Sequence, residues 1–109
     1  MFDIHQKIFG MRQEELTEIE YVNTLMSEWQ KLDFYDPFTT SSAADNIKFK
    51  ERIDRERLYK FLDGLNPEFD QTRSQILGKS PLPKLEEAFA FVQHESSRRE
   101  AMLIKHLPK

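Results

Sequence analysis

Apolar residues recur every three or four positions along almost the whole chain, and no stretch keeps the two-residue alternation of a strand. Phe2, His5, Ile8 and Phe9 predict a short first helix, stopped by Gly10, a residue that tolerates the left-handed turn at a helix end. "MRQEEL" breaks the period. A long helix is then expected from about Glu15 to Leu32, with Leu16, Ile19, Val22, Met26, Trp29 and Leu32 inward and Tyr21 and Leu25 widening the stripe. "DFYDPFTTSSAADN" combines Pro37 with small hydroxylated residues and predicts a loop. Helix resumes near Lys48 and runs to Leu65. At about 100° per residue, Phe49 and Ile53 point opposite to Leu58, Phe61, Leu62 and Leu65. Either that helix starts nearer Asp54, or Phe49 and Ile53 touch something other than the main core.

Past Gly64, Asn66 is a candidate cap for the next helix and Pro67 suits its first turn, where no donor is needed. Phe69, Arg73, Ile76 and Leu77 share a face, and Gly78 ends the helix. "SPLP" excludes helix, because each proline drives its predecessor to extended geometry. Leu82 is expected to tuck under this hinge. A last helix starts near Lys84, with Glu86 and Glu87 at its positive end and Leu85, Ala88, Phe89 and Val92 inward. Beyond Val92 the face dissolves into "QHESSRREA", and "MLIKHLPK" adds apolar residues and a basic finish. The pattern predicts an all-α bundle of four to five helices over residues 1–95, with a helical or flexible basic extension over 96–109.

A chain of 109 residues can bury one core and little more. With 39% hydrophobic and 32% charged residues it is globular in composition, and its net charge of −3 makes nucleic acid an unpromising partner for the surface as a whole. No Cys is present, which removes disulfides, thiolate metal sites and cysteine catalysis. No apolar run approaches the roughly 20 residues of a membrane span, and the N-terminus lacks the apolar core of a signal peptide. A soluble, reducing, cytoplasmic setting is the expectation, with no membrane partner.

Candidate chemistry is sparse. "HESSR" at His94 begins like a zinc-protease helix, but the second histidine of that motif is replaced by Arg98. His5, His94 and His106 are far apart in sequence. The pairs Glu14–Glu15 and Glu86–Glu87 sit at helix starts, where the helix dipole accounts for them. There is no phosphate-cradling glycine loop and no nucleophile elbow. "KFKERIDRER" alternates in sign like a solvated helix face. The chain is therefore expected to be no enzyme and to hold no cofactor or metal. The cluster Arg98, Arg99, Lys105 and Lys109 leaves a nucleic-acid-binding tail as the alternative, with steeply salt-dependent binding as its signature.

Two segments carry a resemblance. "RQEELTEIEYVNTLMSEWQKLD" contains Arg12, Gln13, Glu20, Tyr21, Leu25 and Trp29 in the order and spacing of a segment of Copia-type retrotransposon Gag. "RERLYKFLDGLNPEFDQTRSQILGKSPLPKLEEAFAFVQHE" resembles the later block of the same family through Phe61, Leu62, Gly64, Leu65, Asn66, Arg73, Ser74, Gln75, Ile76, Leu77, Pro81, Leu82 and Pro83. The resemblance spans about Ile4 to Glu95. The first segment also looks like the major homology region of retroviral capsids, which opens their small, self-associating C-terminal domain.

The resemblance implies a structural capsid-like module. By analogy Gln13, Glu20 and Tyr21 carry a turn and its hydrogen bonds, and a buried Gln costs roughly 1–3 kcal/mol when its partners are lost. The family has Gly where this chain has Glu14, so a positive φ there would strain Glu by about 1 kcal/mol or more. Lys84 replaces a small hydroxyl residue. Leu25 and Trp29 are expected to pack against Phe61, Leu65 and Phe89. Self-association into a dimer or multimer, or with other Gag chains, is expected through apolar residues with no clear place in the core: Phe49, Ile53, Phe34 to Phe38, and Met102 to Ile104. The family's upstream capsid half and downstream zinc knuckle are missing, so direct nucleic-acid binding is expected to be weak or nil. Three origins fit: part of a longer Gag, a decayed copy, or a host-adopted remnant.

Overall fold

The structure, a computed structural model, describes residues 2–35 and 43–105. Five α-helices follow one another: α1 Phe2–Phe9, α2 Glu18–Tyr35, α3 Ala43–Asp63, α4 Asp70–Leu77 and α5 Leu85–Lys105, with a single 3-10 turn at Pro67–Phe69 before α4. No strand occurs among the described residues, and the fold is a small all-α bundle. No helix of the described residues is long and apolar enough to cross a membrane.

Helix ends differ from the expected ones for local reasons. α2 starts at Glu18, not near Glu15, because Thr17 caps it. The Glu20 N–H donates to Thr17 Oγ1 (3.1 Å), and the Thr17 N–H donates to Glu20 Oε1 (3.0 Å), a reciprocal capping box. α2 continues past Leu32 to Tyr35, where Arg57 of α3 grips the Asp33 carboxylate with both terminal nitrogens (2.6 and 3.1 Å). α3 begins at Ala43 rather than near Lys48 or Asp54, so Phe49 and Ile53 stand on an early extension of that helix, both half-buried. Gly10 and Gly78 do follow α1 and α4, but no glycine has a positive φ. Gly78 stays right-handed (φ −81°, ψ −6°), its N–H still bonded to Ser74 O at 3.0 Å.

The core joins Tyr21, Val22, Leu25 and Trp29 of α2 to Leu58, Phe61 and Leu62 of α3, then to Leu65, Phe69, Ile76, Ala88 and Val92. Phe61 lies between two rings, stacked with Tyr21 (5.7 Å between centroids) and edge-on to Phe89 (6.3 Å). The expected α2 stripe was too wide. Leu16 precedes the helix, and Ile19 and Met26 are partly exposed, Met26 at the edge of a groove shared with α3 and α5. Glu28 takes the inner place instead. It is only 4% exposed, and its carboxylate is held by Lys7 of α1 (2.8 Å) and Lys31 (3.2 Å). Leu77 likewise leaves the face of Phe69 and Ile76 and is exposed.

α2 meets the last turns of α3: Tyr21 reaches Lys60 and Phe61, while Asp33 meets Arg57. α3 and α5 each have 21 residues, about 32 Å of helix. They run in the same direction but out of step. The second half of α3 packs on the first half of α5, leaving α3 to overhang at one end and α5 at the other. The molecule is 64 × 32 × 16 Å.

Candidate functional site

The residues of the two sequence blocks meet at the junction between the Met11–Thr17 segment and the end of α3. Gln13, 2% exposed, is the hub. Its N–H donates to Gly64 O (2.8 Å), its Nε2 donates to Leu16 O (3.0 Å), and its Oε1 accepts from the Asn66 N–H (3.1 Å). One side chain thus satisfies backbone groups on both sides of the junction, which have no helical or sheet partner. Asn66 does not cap the following helix with its side chain, as its position before Pro67 suggested. Its Nδ2 is drawn across the junction to Glu14 O (2.8 Å). Glu14 has φ 50°, the one non-glycine residue with positive φ among those described.

Tyr21 closes the junction from below. Its Oη donates to the carbonyls of Lys60 (3.2 Å) and Phe61 (3.1 Å), and burial raises its pKa. Gly64 packs against this hydroxyl so tightly that a Cβ there would lie 1.9 Å from Oη and 2.8 Å from Cζ. The glycine is required by close approach, not by φ. Around the rim, Arg12 pairs with Asp63 (2.6 Å), holding that carboxyl below its ordinary value, and Arg73 donates to the Asp63 carbonyl (3.3 Å) while pairing with Asp70. Lys60 reaches back to Phe9 O (3.1 Å) and Met11 O (2.8 Å), tying α1 to α3. Burial, and then the nearby Arg12, lowers its pKa.

The remaining block residues divide by depth. Leu25, Trp29, Phe61, Leu62, Leu65 and Ile76 are core, and Pro83 is buried with Leu82 half-buried above it. Gln75 and Pro81 are exposed and make no contribution to the junction. Trp29, Leu58, Leu82 and Leu85 line an open groove of about 1000 Å³ whose rim mixes acidic and basic side chains. Arg57 lies over the indole of Trp29 at 5.4 Å.

The association candidates are scattered. Phe34, Met102 and Ile104 are exposed, while Phe49 and Ile53 are half-buried, Phe49 beneath the Arg52 guanidinium at 5.4 Å. Phe38, the loop at Pro37, His106 and Lys109 lie outside the described residues. Of the basic tail, Arg98 and Arg99 both close onto Glu95 (2.8 and 2.9 Å), which lowers its pKa to about 2 through the Arg98 bond first and the Arg99 bond second. These two cations are compensated within their own helix, which weakens them as a phosphate-binding pair.

Three contributors escaped the sequence reading. Thr17 had a signal, the T-x-x-E spacing to Glu20. Lys60 and Glu28 had none, because their partners are 21 to 51 residues away. Chemically, the junction fixes geometry. Every buried side-chain N or O among the described residues has a partner, and no cluster of His, Cys, Asp or Glu there could hold a metal ion. No protein-family model, no curated protein and no solved structure matches the chain.

Proposed function

We propose that this chain is a non-enzymatic assembly module of the Copia-type Gag capsid kind, self-associating through helical surfaces. The observation that carries the reading is the Gln13 junction. Its turn uses Gln13, Glu20 and Tyr21 for hydrogen bonds within the fold, and its one left-handed residue, Glu14, stands where the family has glycine. A junction whose polar groups are tied up in backbone bonds serves to hold helices at a fixed angle, and the apolar residues left outside then serve contact with other chains. The partners are further copies of the chain or other Gag chains, and no cofactor is required. Sedimentation velocity over a concentration series tests the reading. A mass rising above the 13.0 kDa monomer by high micromolar concentration is expected, and a strict monomer throughout overturns it.

A further inference from the structure

We infer that α1 is a latch that opens from the bundle by itself, with the Glu28 carboxylate as its acid-sensitive catch. The inference concerns the single chain and holds whichever way copies associate. α1 packs on α2, yet no residue described in it belongs to the buried core. Ile4 and Ile8 are half-buried, Ile8 against the outside of the core, and Phe9 at the helix end is 82% exposed. An eight-residue helix is marginal in water without packing, so an undocked α1 also unwinds. With so little apolar contact, the holding falls largely to two lysine ties. Lys60 of α3 donates to Phe9 O and Met11 O, and Lys7 of α1 meets Glu28 of α2 at 2.8 Å.

The second tie is the one that acid undoes. Glu28 is buried, and the charges acting on it are Lys7, across the joint, and Lys31, on its own helix. Its pKa in the docked state is held below the ordinary 4.5 by the Lys7 hydrogen bond first, with burial opposing and Lys31 adding to the effect. When α1 departs, Lys7 leaves with it and the carboxylate returns towards its ordinary value. Docking is therefore linked to the ionised form: it is full above about 4.5 and fades as pH falls through the docked value. Other paired carboxylates tie other elements. Glu20 closes the α2 capping box, Asp63 pairs with Arg12 at the junction, and Glu95 holds Arg98 and Arg99 within α5. α2, α3 and α5 also share the buried core, so α1 opens before they separate. Gly10, exposed between α1 and the fixed Gln13, supplies the pivot. Of the two Lys60 bonds, only the one to Phe9 O lies on the α1 side of it. Opening thus frees Lys7 and uncovers Ile4 and Ile8 while the Gln13 junction stays closed.

Amide hydrogen exchange of the full chain, read by NMR as protection factors from pH 7 to pH 3, tests the latch. The Gly10 N–H, bonded to Gln6 O at 3.1 Å, reports on α1, and the amides of Leu62 and Val92 report on the core. Protection in α1 is expected to fall at least tenfold across the acid range while the core amides keep theirs. Glu28→Gln should show lowered α1 protection already at pH 7 and no further fall in acid. Lys7→Met, at an exposed position, should lower it at pH 7 without touching a buried side chain, and decides the matter if Glu28→Gln does not fold. The double variant should be no worse than either single one, because both remove the same tie. Loss of α1 and core protection in one common step overturns the latch. Full α1 protection at pH 7 in Lys7→Met, or additive losses in the double variant, overturns Glu28 as its catch.

Discussion

Around Gln13, side chains from distant parts of the chain are committed to backbone groups, and Tyr21 and Gly64 touch with no room between them. At the outer turn of α5, the same kind of amphipathic helix carries Met102, Leu103 and Ile104 into solvent, and its charges are settled within the helix by Glu95, Arg98 and Arg99. The first region is saturated with contacts of long sequence separation and the second has almost none. On the assembly reading, stability and association are housed apart, and substitutions should separate them cleanly.

The largest effect should come from Gly64→Ala. A methyl group 1.9 Å from Tyr21 Oη forces either the ring or the end of α3 to move, and overpacking of a closed core costs about 3 kcal/mol at the severe end. Urea denaturation should show a lower midpoint, and an unchanged midpoint would mean that the junction is looser than its geometry. Gln13→Ala comes next. It leaves Leu16 O and the Asn66 N–H without their part-buried partner, for an expected loss of roughly 1–3 kcal/mol by the same assay.

The acid limb of stability probes Glu28. Its folded pKa is held below the ordinary 4.5, first by the Lys7 hydrogen bond and then by Lys31, against the opposing effect of burial. A depressed carboxylate contributes stability that is present above its unfolded value and is lost as pH falls through the folded one. The stability difference between the unmodified chain and Glu28→Gln should therefore shrink as pH drops below about 4.5, read from denaturation midpoints at stepped pH. A difference independent of pH would show that the carboxylate is not ionised against the two lysines.

Much of the fold was legible because helices announce themselves locally. Tyr21, Leu25, Trp29, Phe61 and Leu65 fall on the helical period, and each is buried. Stops at Gly10, Gly78 and "SPLP" were readable from the residue type alone, although the glycines proved right-handed. What escaped was whatever depends on a partner far along the chain. Asn66 has the local look of a cap, yet its amide serves Glu14 O, 52 residues away. Glu28 looks solvated until Lys7 of α1 is placed beside it, and Met26 looks buried until it is found at the edge of an open groove. Periodicity reports which side of a helix is apolar but not whether another element arrives to cover it. The end of α5 was legible for the opposite reason: past Val92 the apolar face breaks up in the sequence, and Met102 to Ile104, set apart from the core there, are exposed.

Glu14→Gly sharpens the comparison in the stabilising direction. A left-handed Glu costs about 1–2 kcal/mol relative to the right-handed state, and glycine removes that strain while adding roughly 0.5–1 kcal/mol of chain entropy to be lost on folding. A net gain of less than about 1 kcal/mol should appear as a small rise in melting temperature, absent in Glu14→Ala, which keeps the Cβ.

The smallest change in stability should come from Leu103→Ser. The side chain is largely in water already and no element of the bundle reaches it, so the folded monomer has little to lose, within about 0.5 kcal/mol. Measured at low micromolar concentration, the melting temperature should match that of the unmodified chain. On the assembly reading the two should part at high micromolar concentration, because only the unmodified chain would then gain stability by mass action. A Leu103→Ser variant destabilised at every concentration would place that residue in the core of the monomer and erase the distinction between the two regions.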